Sequence, residues 1–288
     1  MEEATIEWAE LTPGTILVAD ADRAWLHTRA LGGGSEPFSM PMTGPGSLAT
    51  TRNLLDGAVG AGQRSIALAP SIASAPPPEP PPPLTALRWA FRLAGYYHTT
   101  RVTPGLMEQA GARFAAAGQS SLAEWAATKA REERGHDELA LRDLRSLGYA
   151  AERVVDILRP EIAIALASAF TAWVLGPDPV FCVGYAYALE RLALTRGPDY
   201  LARVESVLPK GVLATRCLRV HSGSGSDAKH VEETALMVSG LPAEERAKIA
   251  LACYETAALC SMPPKGGHLT EDALQQVLAP LKTPITPG

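Results

Sequence analysis

The stretch Lys129-Ala-Arg-Glu-Glu-Arg-Gly-His136 carries most of the information about this chain. It lies in sequence rich in alanine and leucine, with apolar residues at helical spacing. Residues three apart on a helix point to nearly the same side, so Glu133 and His136 could reach one metal ion. Gly135 costs about 1 kcal/mol relative to alanine in a helix interior, which suggests a close approach by another helix or a ligand. The alternative is a solvated run of charges.

A second acidic position, Glu190, follows the apolar and aromatic run Gly184-Tyr-Ala-Tyr-Ala-Leu. These neighbours predict a largely buried carboxylate. A buried carboxylate needs a cation, a metal ion or a proton. The alternative to a metal ligand is a salt bridge to Arg191 or to a neighbouring helix.

A third cluster contains His221, Asp227 and His230, separated by serines and two glycines. On an unbroken helix the two histidines would lie about 180° apart, so we expect a bulge or a break between them. Asp227 and His230 are three apart and can face one site. The alternative is that a serine caps a new helix and the histidines are incidental. Carboxylates and imidazoles from three helices are typical of a non-haem iron site in a helical bundle.

The composition excludes several classes of protein. The 288 residues have a net charge of -5 and a pI near 5.7, which argues against a general nucleic-acid or anionic-membrane binder. The acidic N-terminus lacks the features of a signal peptide, and no apolar run approaches the ~20 residues that span a bilayer. We therefore expect a cytoplasmic protein. The four cysteines show no CxxC spacing and are expected to be small buried hydrophobic residues.

The proline-rich segment 75–83 divides the chain, because proline fixes φ and lacks an amide donor. Residues 1–74 are predicted to form a non-helical arm or a small accessory region, with a strand-like run at 15–19. Residues 84–288 are predicted to form an all-α domain. The expected helices are 85–100, 104–117, 121–148, 150–175, 179–196, 198–222, 226–239, 243–262 and 269–281. Ser121 and Glu124 suggest a capping box at the start of the third helix.

Residues 129–148, 184–190, 219–221 and 230–233 together resemble the haem-oxygenase-like iron-containing redox enzymes. That family is related in fold to thiaminase-II and pyrroloquinoline-quinone synthase proteins. The resemblance covers roughly residues 85–265 and implies a haem-oxygenase-like helical bundle. It also implies an oxidase or oxygenase that binds two ferrous ions and uses O2 to oxidise a small organic substrate. Such an enzyme needs an electron donor, and a homodimer is possible.

Carried over by motif position, the resemblance implies six iron ligands. They are Glu133, His136, Glu190, His221, Asp227 and His230. Two features depart from the family pattern and bear on the second iron. Many members have a glutamate seven residues before the first histidine, where this chain has Lys129, and two extra residues separate His221 from Asp227.

Tyr97 and His98 lie on an early predicted helix beside an arginine. They are candidates for lining a substrate pocket, and the alternative is a packing and hydrogen-bond cluster. Two other functions stay open. One is a metal-free enzyme like the thiaminase-II or pyrroloquinoline-quinone synthase branch, and the other is a non-catalytic helical protein that binds a partner. The sequence points to no particular catalytic residue.

Overall fold

The computed structural model describes residues 5–28, 46–68, 80–222 and 226–283. The chain begins with three antiparallel strands in the order β1-β2-β3: Glu7–Thr12, Thr15–Ala19 and Ala24–Thr28. Gly14 adopts a left-handed φ of 79° in the first turn, a conformation that favours glycine. The strand expected at 15–19 is confirmed as β2.

The rest of the described chain is mainly helical, as predicted for residues 84–288 but not for the N-terminal region. The helices are α1 (Leu48–Leu68), α2 (Ala86–Thr100), α3 (Thr103–Ala116), α4 (Ser120–Glu132), α5 (His136–Ser146), α6 (Ala151–Ile157), α7 (Glu161–Leu175), α8 (Phe181–Val207), α9 (Arg216–Ser222), α10 (Ser226–Ser239), α11 (Ala243–Ser261) and α12 (Glu271–Leu278). A short 3-10 turn, Ala279–Leu281, follows α12.

Helix α1 was not predicted, and it connects the N-terminal region to the bundle. Ser47 caps it, since its Oγ accepts a hydrogen bond of 3.1 Å from the Thr50 amide. Helix α1 packs along α11. Strand β1 packs on both helices, and β2 packs on α1. One apolar core contains residues of the strands and α1 together with residues of α8 and α11. The proline-rich segment therefore does not separate two cores.

Two of the predicted helices are each split into two in the structure. The helix expected at 121–148 is two helices, because Gly135 has a left-handed φ of 84° and ends the regular path between α4 and α5. A β-carbon at Gly135 would meet no described residue within 4 Å, so the glycine serves the turn and not a close approach. The expected helix 150–175 breaks before Pro160 into α6 and α7, since proline disfavours helical backbone in the preceding residue.

The remaining differences concern a kink, a further break and a cap. The helix expected at 179–196 and the first part of the one expected at 198–222 form one element, α8, kinked where Gly197 has φ 56° and Pro198 follows. The expected helix 198–222 then breaks between Val207, where α8 ends, and Arg216, where α9 begins. The capping box at Ser121 is also wrong. Helix α4 begins at Ser120 after Gln119, with no side-chain hydrogen bond at its N-cap.

Helix α11 lies at the centre of the structure and packs against α1, α7, α8 and β1. Glycines allow two of these neighbours to approach it closely. A β-carbon at Gly62 of α1 would lie 2.3 Å from the Tyr254 carbonyl oxygen, and one at Gly184 of α8 would lie 2.2 Å from the Ile249 carbonyl oxygen. Both glycines are therefore required by helix–helix distance.

A buried ion pair ties the first strand to the same helix. Glu7 of β1 and Arg246 of α11 are 0% and 1% exposed, and Arg246 Nε lies 3.1 Å from Glu7 Oε2. Thr51 of α1 donates a hydrogen bond of 2.8 Å to Glu7 Oε1. Burial raises the pKa of Glu7, while Thr51 and Arg246 oppose that rise. The pair fixes β1 and α1 on α11.

The four cysteines lie where their apolar surroundings in the sequence predicted. Cys182, Cys217 and Cys253 are buried free thiols and Cys260 is half-buried, as expected of small hydrophobic residues.

Among the described residues, no single helix is both long and apolar enough to cross a bilayer. Helices α6 and α7 together have the length and composition of a membrane span, but they are bent by 78° at their junction.

The close contact at Gly184 gives a stability prediction. Gly184→Ala forces α8 away from the α11 backbone, and we expect the free energy of unfolding to fall by about 1–3 kcal/mol. Gly105→Ala in α3 is the matched control, since a β-carbon there meets nothing within 4 Å. That control should keep its stability or gain up to about 1 kcal/mol. Urea unfolding followed by circular dichroism measures both, and equal stabilities would contradict the proposed contact.

Candidate functional site

A cavity of about 310 Å³ lies between α4 and α10, and we call it the α4–α10 cavity. Helix α4 contributes Ser121, Glu124, Trp125, Thr128, Lys129 and Glu132, while α10 contributes His230, Glu233, Thr234 and Met237. The spacing explains why these residues share the cavity, because positions three and four apart on a helix face the same side. Each helix thus presents one polar stripe.

Lys129 is the buried charge of this cavity. The residue is 5% exposed, and its Nζ donates a hydrogen bond of 2.7 Å to Glu190 Oε1 of α8. The same Nζ lies 3.3 Å from Glu132 Oε2, one turn along α4. Glu190 is itself largely buried, with 12% of its side chain exposed, as the sequence predicted. The ammonium group supplies the cation that a buried carboxylate requires.

His230 lies next to this pair. Its Nε2 is 3.3 Å from Glu132 Oε1 and its Nδ1 is 3.9 Å from Glu190 Oε1. Burial and the positive charge of Lys129 lower the pKa of His230, and nearby glutamates only partly oppose this shift. The imidazole is therefore neutral at neutral pH.

Glu133 and His136 form a separate contact at the junction of α4 and α5. His136 Nδ1 lies 2.9 Å from Glu133 Oε2, so the two residues meet as the spacing suggested, although Gly135 breaks the helix between them. Neither side chain lines the α4–α10 cavity. Glu133 still acts on His230 electrostatically by favouring the protonated imidazole.

The other two predicted ligands, His221 and Asp227, lie at the junction of α9 and α10. Helix α9 ends at Ser222 and α10 begins at Ser226, and the side chains of His221 and Asp227 lie outside the described part of the structure. Within the described residues, no three His, Cys, Asp or Glu side chains are arranged so that they could hold a metal ion. The six-ligand set stays a prediction.

The alternative role predicted for Glu190 was a salt bridge to Arg191 or to a neighbouring helix. The bridge to a neighbouring helix is present, with Lys129 of α4, and Arg191 has another partner. The Arg191 guanidinium instead pairs with Asp56 of α1, at 2.7 Å from Nε to Oδ1. Tyr187 donates a further hydrogen bond of 2.8 Å to the same carboxylate. Successive residues of α8 therefore face different neighbours: Glu190 faces α4 and Arg191 faces α1.

Tyr97 and His98 lie on α2, away from the walls of the α4–α10 cavity. The His98 Nε2 is 3.0 Å from the Leu158 carbonyl oxygen, between α6 and α7. The Arg101 guanidinium lies 5.6 Å from the centre of the Tyr97 ring. These contacts match the packing and hydrogen-bond alternative.

Most of the residues that line the cavity were not predicted from the sequence. Lys129 stood out only as a departure from a family pattern, a solvated run of charges was the alternative for Glu132, and neither Trp125 nor Thr234 had a predicted role. The Trp125 Nε1 donates a hydrogen bond of 3.1 Å to Thr234 Oγ1, which joins the two walls. The signal was the helical spacing of polar residues from 121 to 132.

The comparisons with known proteins bear on the fold alone. No family model matches the chain, and no curated protein matches it. The structure of a domain of unknown function with a haem-oxygenase-like fold from Shewanella denitrificans OS217 is similar, with a TM-score of 0.53 and 20% identity over 77% of this chain and 90% of that one. A TenA homolog from Pseudomonas syringae pv. tomato str. DC3000 has a TM-score of 0.50 and 14% identity, over 78% of this chain and 97% of its own. The chain has a haem-oxygenase-like helical fold.

The Lys129–Glu190 pair gives a second stability prediction. Lys129→Met leaves Glu190 without its ammonium partner, and we expect a loss of about 3–5 kcal/mol in the free energy of unfolding. Adding Glu190→Gln should recover part of this loss, with a coupling energy of at least about 1 kcal/mol.

The exposed pair Lys229–Glu233 on α10, at 3.4 Å, is the matched control. The cycle of Lys229→Met with Glu233→Gln should show a coupling below about 0.5 kcal/mol. Chemical denaturation of each single and double variant measures the two cycles. Equal coupling energies would show that Lys129 and Glu190 do not interact as a buried pair.

Proposed function

We propose that this protein is an enzyme that binds a small organic molecule in the α4–α10 cavity and transforms it by acid–base chemistry, without a resident metal ion. The observation that carries the proposal is the 2.7 Å hydrogen bond from Lys129 Nζ to Glu190 Oε1. It places a fixed cation between carboxylates of two helices and beside a histidine of a third. A buried ion pair beside a histidine whose pKa is lowered, in a cavity, is typical of catalytic sites.

The contacts of Lys129 weigh against the iron centre that the family resemblance implies. An iron site needs carboxylate and imidazole groups free to converge on the metal ion. Here the Lys129 ammonium already contacts Glu190 and also lies 3.3 Å from Glu132. A second cation at this place would be repelled by the first. The lysine therefore takes over the charge balance that a metal ion would otherwise supply.

His230 is the group best suited to accept a proton. Its pKa is lowered by burial and by Lys129, so its ring is neutral and one ring nitrogen is available as an acceptor. Once it takes a proton from a bound substrate, Glu132 Oε1 at 3.3 Å from Nε2 stabilises the imidazolium. The Lys129 ammonium stabilises negative charge that develops on the substrate.

The cavity has the size and lining of a small-molecule site. Its volume of about 310 Å³ lies at the lower end of the range of ligand pockets. Trp125 and Met237 supply apolar surface, and the hydrogen bond from Trp125 to Thr234 fixes the indole. Hydroxyl groups of Ser121 and Thr128 add polar contacts that can orient a substrate.

An iron-dependent oxidase or oxygenase is the second candidate. The 2.9 Å contact between Glu133 and His136 and the 3.9 Å approach of His230 to Glu190 favour it, because both involve residue types that bind iron. This function would need His221 and Asp227 to complete the ligand set and Lys129 to move away from Glu190. Ferrous iron would then supply O2 activation.

The proposed role of His230 predicts an electrostatic response. We expect the pKa of His230 to lie below the ordinary value of about 6.5, and Lys129→Met should raise it, because the variant removes a nearby positive charge. Titration of the imidazole protons by NMR measures this, and His230→Gln identifies the resonance. An unchanged pKa in Lys129→Met would rule out the electrostatic link between the two residues.

The reaction class can be tested with metal-depleted protein. A substrate panel should begin with thiamin and related heteroaromatic amines, because a homolog of TenA, a thiaminase-II protein, has a similar fold. We expect turnover to survive chelation and to fall in acid as His230 becomes protonated. His230→Gln should lower kcat/KM by about 10²–10⁴-fold, and His98→Gln, outside the cavity, is the matched control. Turnover that requires both added ferrous iron and O2 would instead support the oxidase.

A further inference from the structure

A second cavity of about 400 Å³ lies between α7 and α11, and we call it the α7–α11 groove. Its walls share no residue with the α4–α10 cavity. The lining residues are Ala169, Ala172 and Trp173 of α7, and Tyr254, Glu255, Ala258 and Leu259 of α11 with Met262 just beyond it. The groove is therefore a separate site on the molecule.

Small side chains give the groove its depth. Three of its lining residues are alanines, and they lie between larger aromatic and aliphatic side chains. Met262 at one end is 43% exposed. Most of the lining is apolar, so an apolar molecule that enters the groove gains free energy from the area it removes from water.

Of the described residues that line the groove, Glu255 alone is charged. Among the described residues, no cation lies within ion-pair distance of its carboxylate and no side chain donates a hydrogen bond to it. Burial raises the pKa of Glu255, because the charged form loses hydration. The buried carboxylates of Glu190 and Glu7, in contrast, each have a cationic partner. Glu255 thus keeps an unbalanced negative charge in an apolar surface.

The Trp173 ring of the groove contacts two neighbouring aromatic rings. Trp173 stacks on Phe181, with ring centroids 6.4 Å apart and planes 19° apart, and Tyr185 meets it edge-on at 6.1 Å. Tyr254 lies one residue before Glu255 on α11. A positive charge is attracted by the faces of tryptophan and tyrosine rings as well as by a carboxylate.

We infer that the α7–α11 groove binds an organic cation with an apolar body, such as an arylalkyl ammonium compound, whose charged end pairs with Glu255 and whose body lies along the alanines. Charge complementarity distinguishes this ligand from a neutral one. A neutral apolar molecule would cover the carboxylate further without replacing its lost hydration. A cation replaces that hydration with an ion pair in a site of reduced dielectric.

The test compares 4-phenylbutylammonium with 4-phenylbutanol, which has a similar shape and no charge. Binding is measured by titration with backbone amide NMR, which also locates the site. The ammonium compound should bind about tenfold or more tightly than the alcohol, with shifts at Trp173, Tyr254 and Ala258. Glu255→Gln should remove this preference and leave binding of the alcohol nearly unchanged.

Two control variants separate charge from shape. Glu244→Gln removes one negative charge from an exposed position on the same helix, and it should keep the tenfold preference. Ala258→Leu fills the groove and should weaken binding of both compounds. Equal affinities in the wild type, a preference that survives Glu255→Gln, or shifts confined to the α4–α10 cavity would each overturn the inference. Concentration-dependent self-association that buries the groove would overturn it as well.

Discussion

The buried ammonium of Lys129 is the interaction on which the account of the site depends. It joins α4 to Glu190 of α8 at 2.7 Å, and it also contributes to the lowered pKa of His230 on α10. A lone buried carboxylate at Glu190 would be costly, so the lysine allows α4, α8 and α10 to bring charged and titratable groups close together at one wall of the cavity. The same charge balance gives His230 a neutral ring and leaves Lys129 able to stabilise negative charge on a substrate.

The helical scaffold makes this arrangement possible. Helix α11 packs against both α1 and α8, and Gly62 and Gly184 let those helices approach its backbone closely. The Glu7–Arg246 ion pair attaches the N-terminal sheet to α11. Helix α8 is thereby fixed in rotation, so that Glu190 faces α4 while Arg191 faces Asp56 of α1. The position of the candidate site thus follows from packing far from the cavity.

The sequence predicted the all-α class, most helix positions and the burial of Glu190, because periodicity and apolar neighbours are local signals. It did not predict α1, whose three glycines lower helix propensity and which packs along α11. Gly135 suggested the close approach of another helix, but its left-handed φ forms a turn. A glycine needed for a turn and one needed for close helix packing look alike in a sequence. The partner of Lys129 could not be predicted, because the relative rotation of α4 and α8 is set by tertiary contacts.

Iron binding tests the central claim most directly. Protein reconstituted anaerobically with ferrous ion and then desalted should retain far less than one iron per chain, because Lys129 already balances Glu190 and Glu132. Lys129→Glu, which replaces the ammonium with a carboxylate, should retain more iron than the wild type. Near-stoichiometric iron in the wild type that is lost in Glu190→Gln and His230→Ala would contradict the account and establish a metal centre at this site.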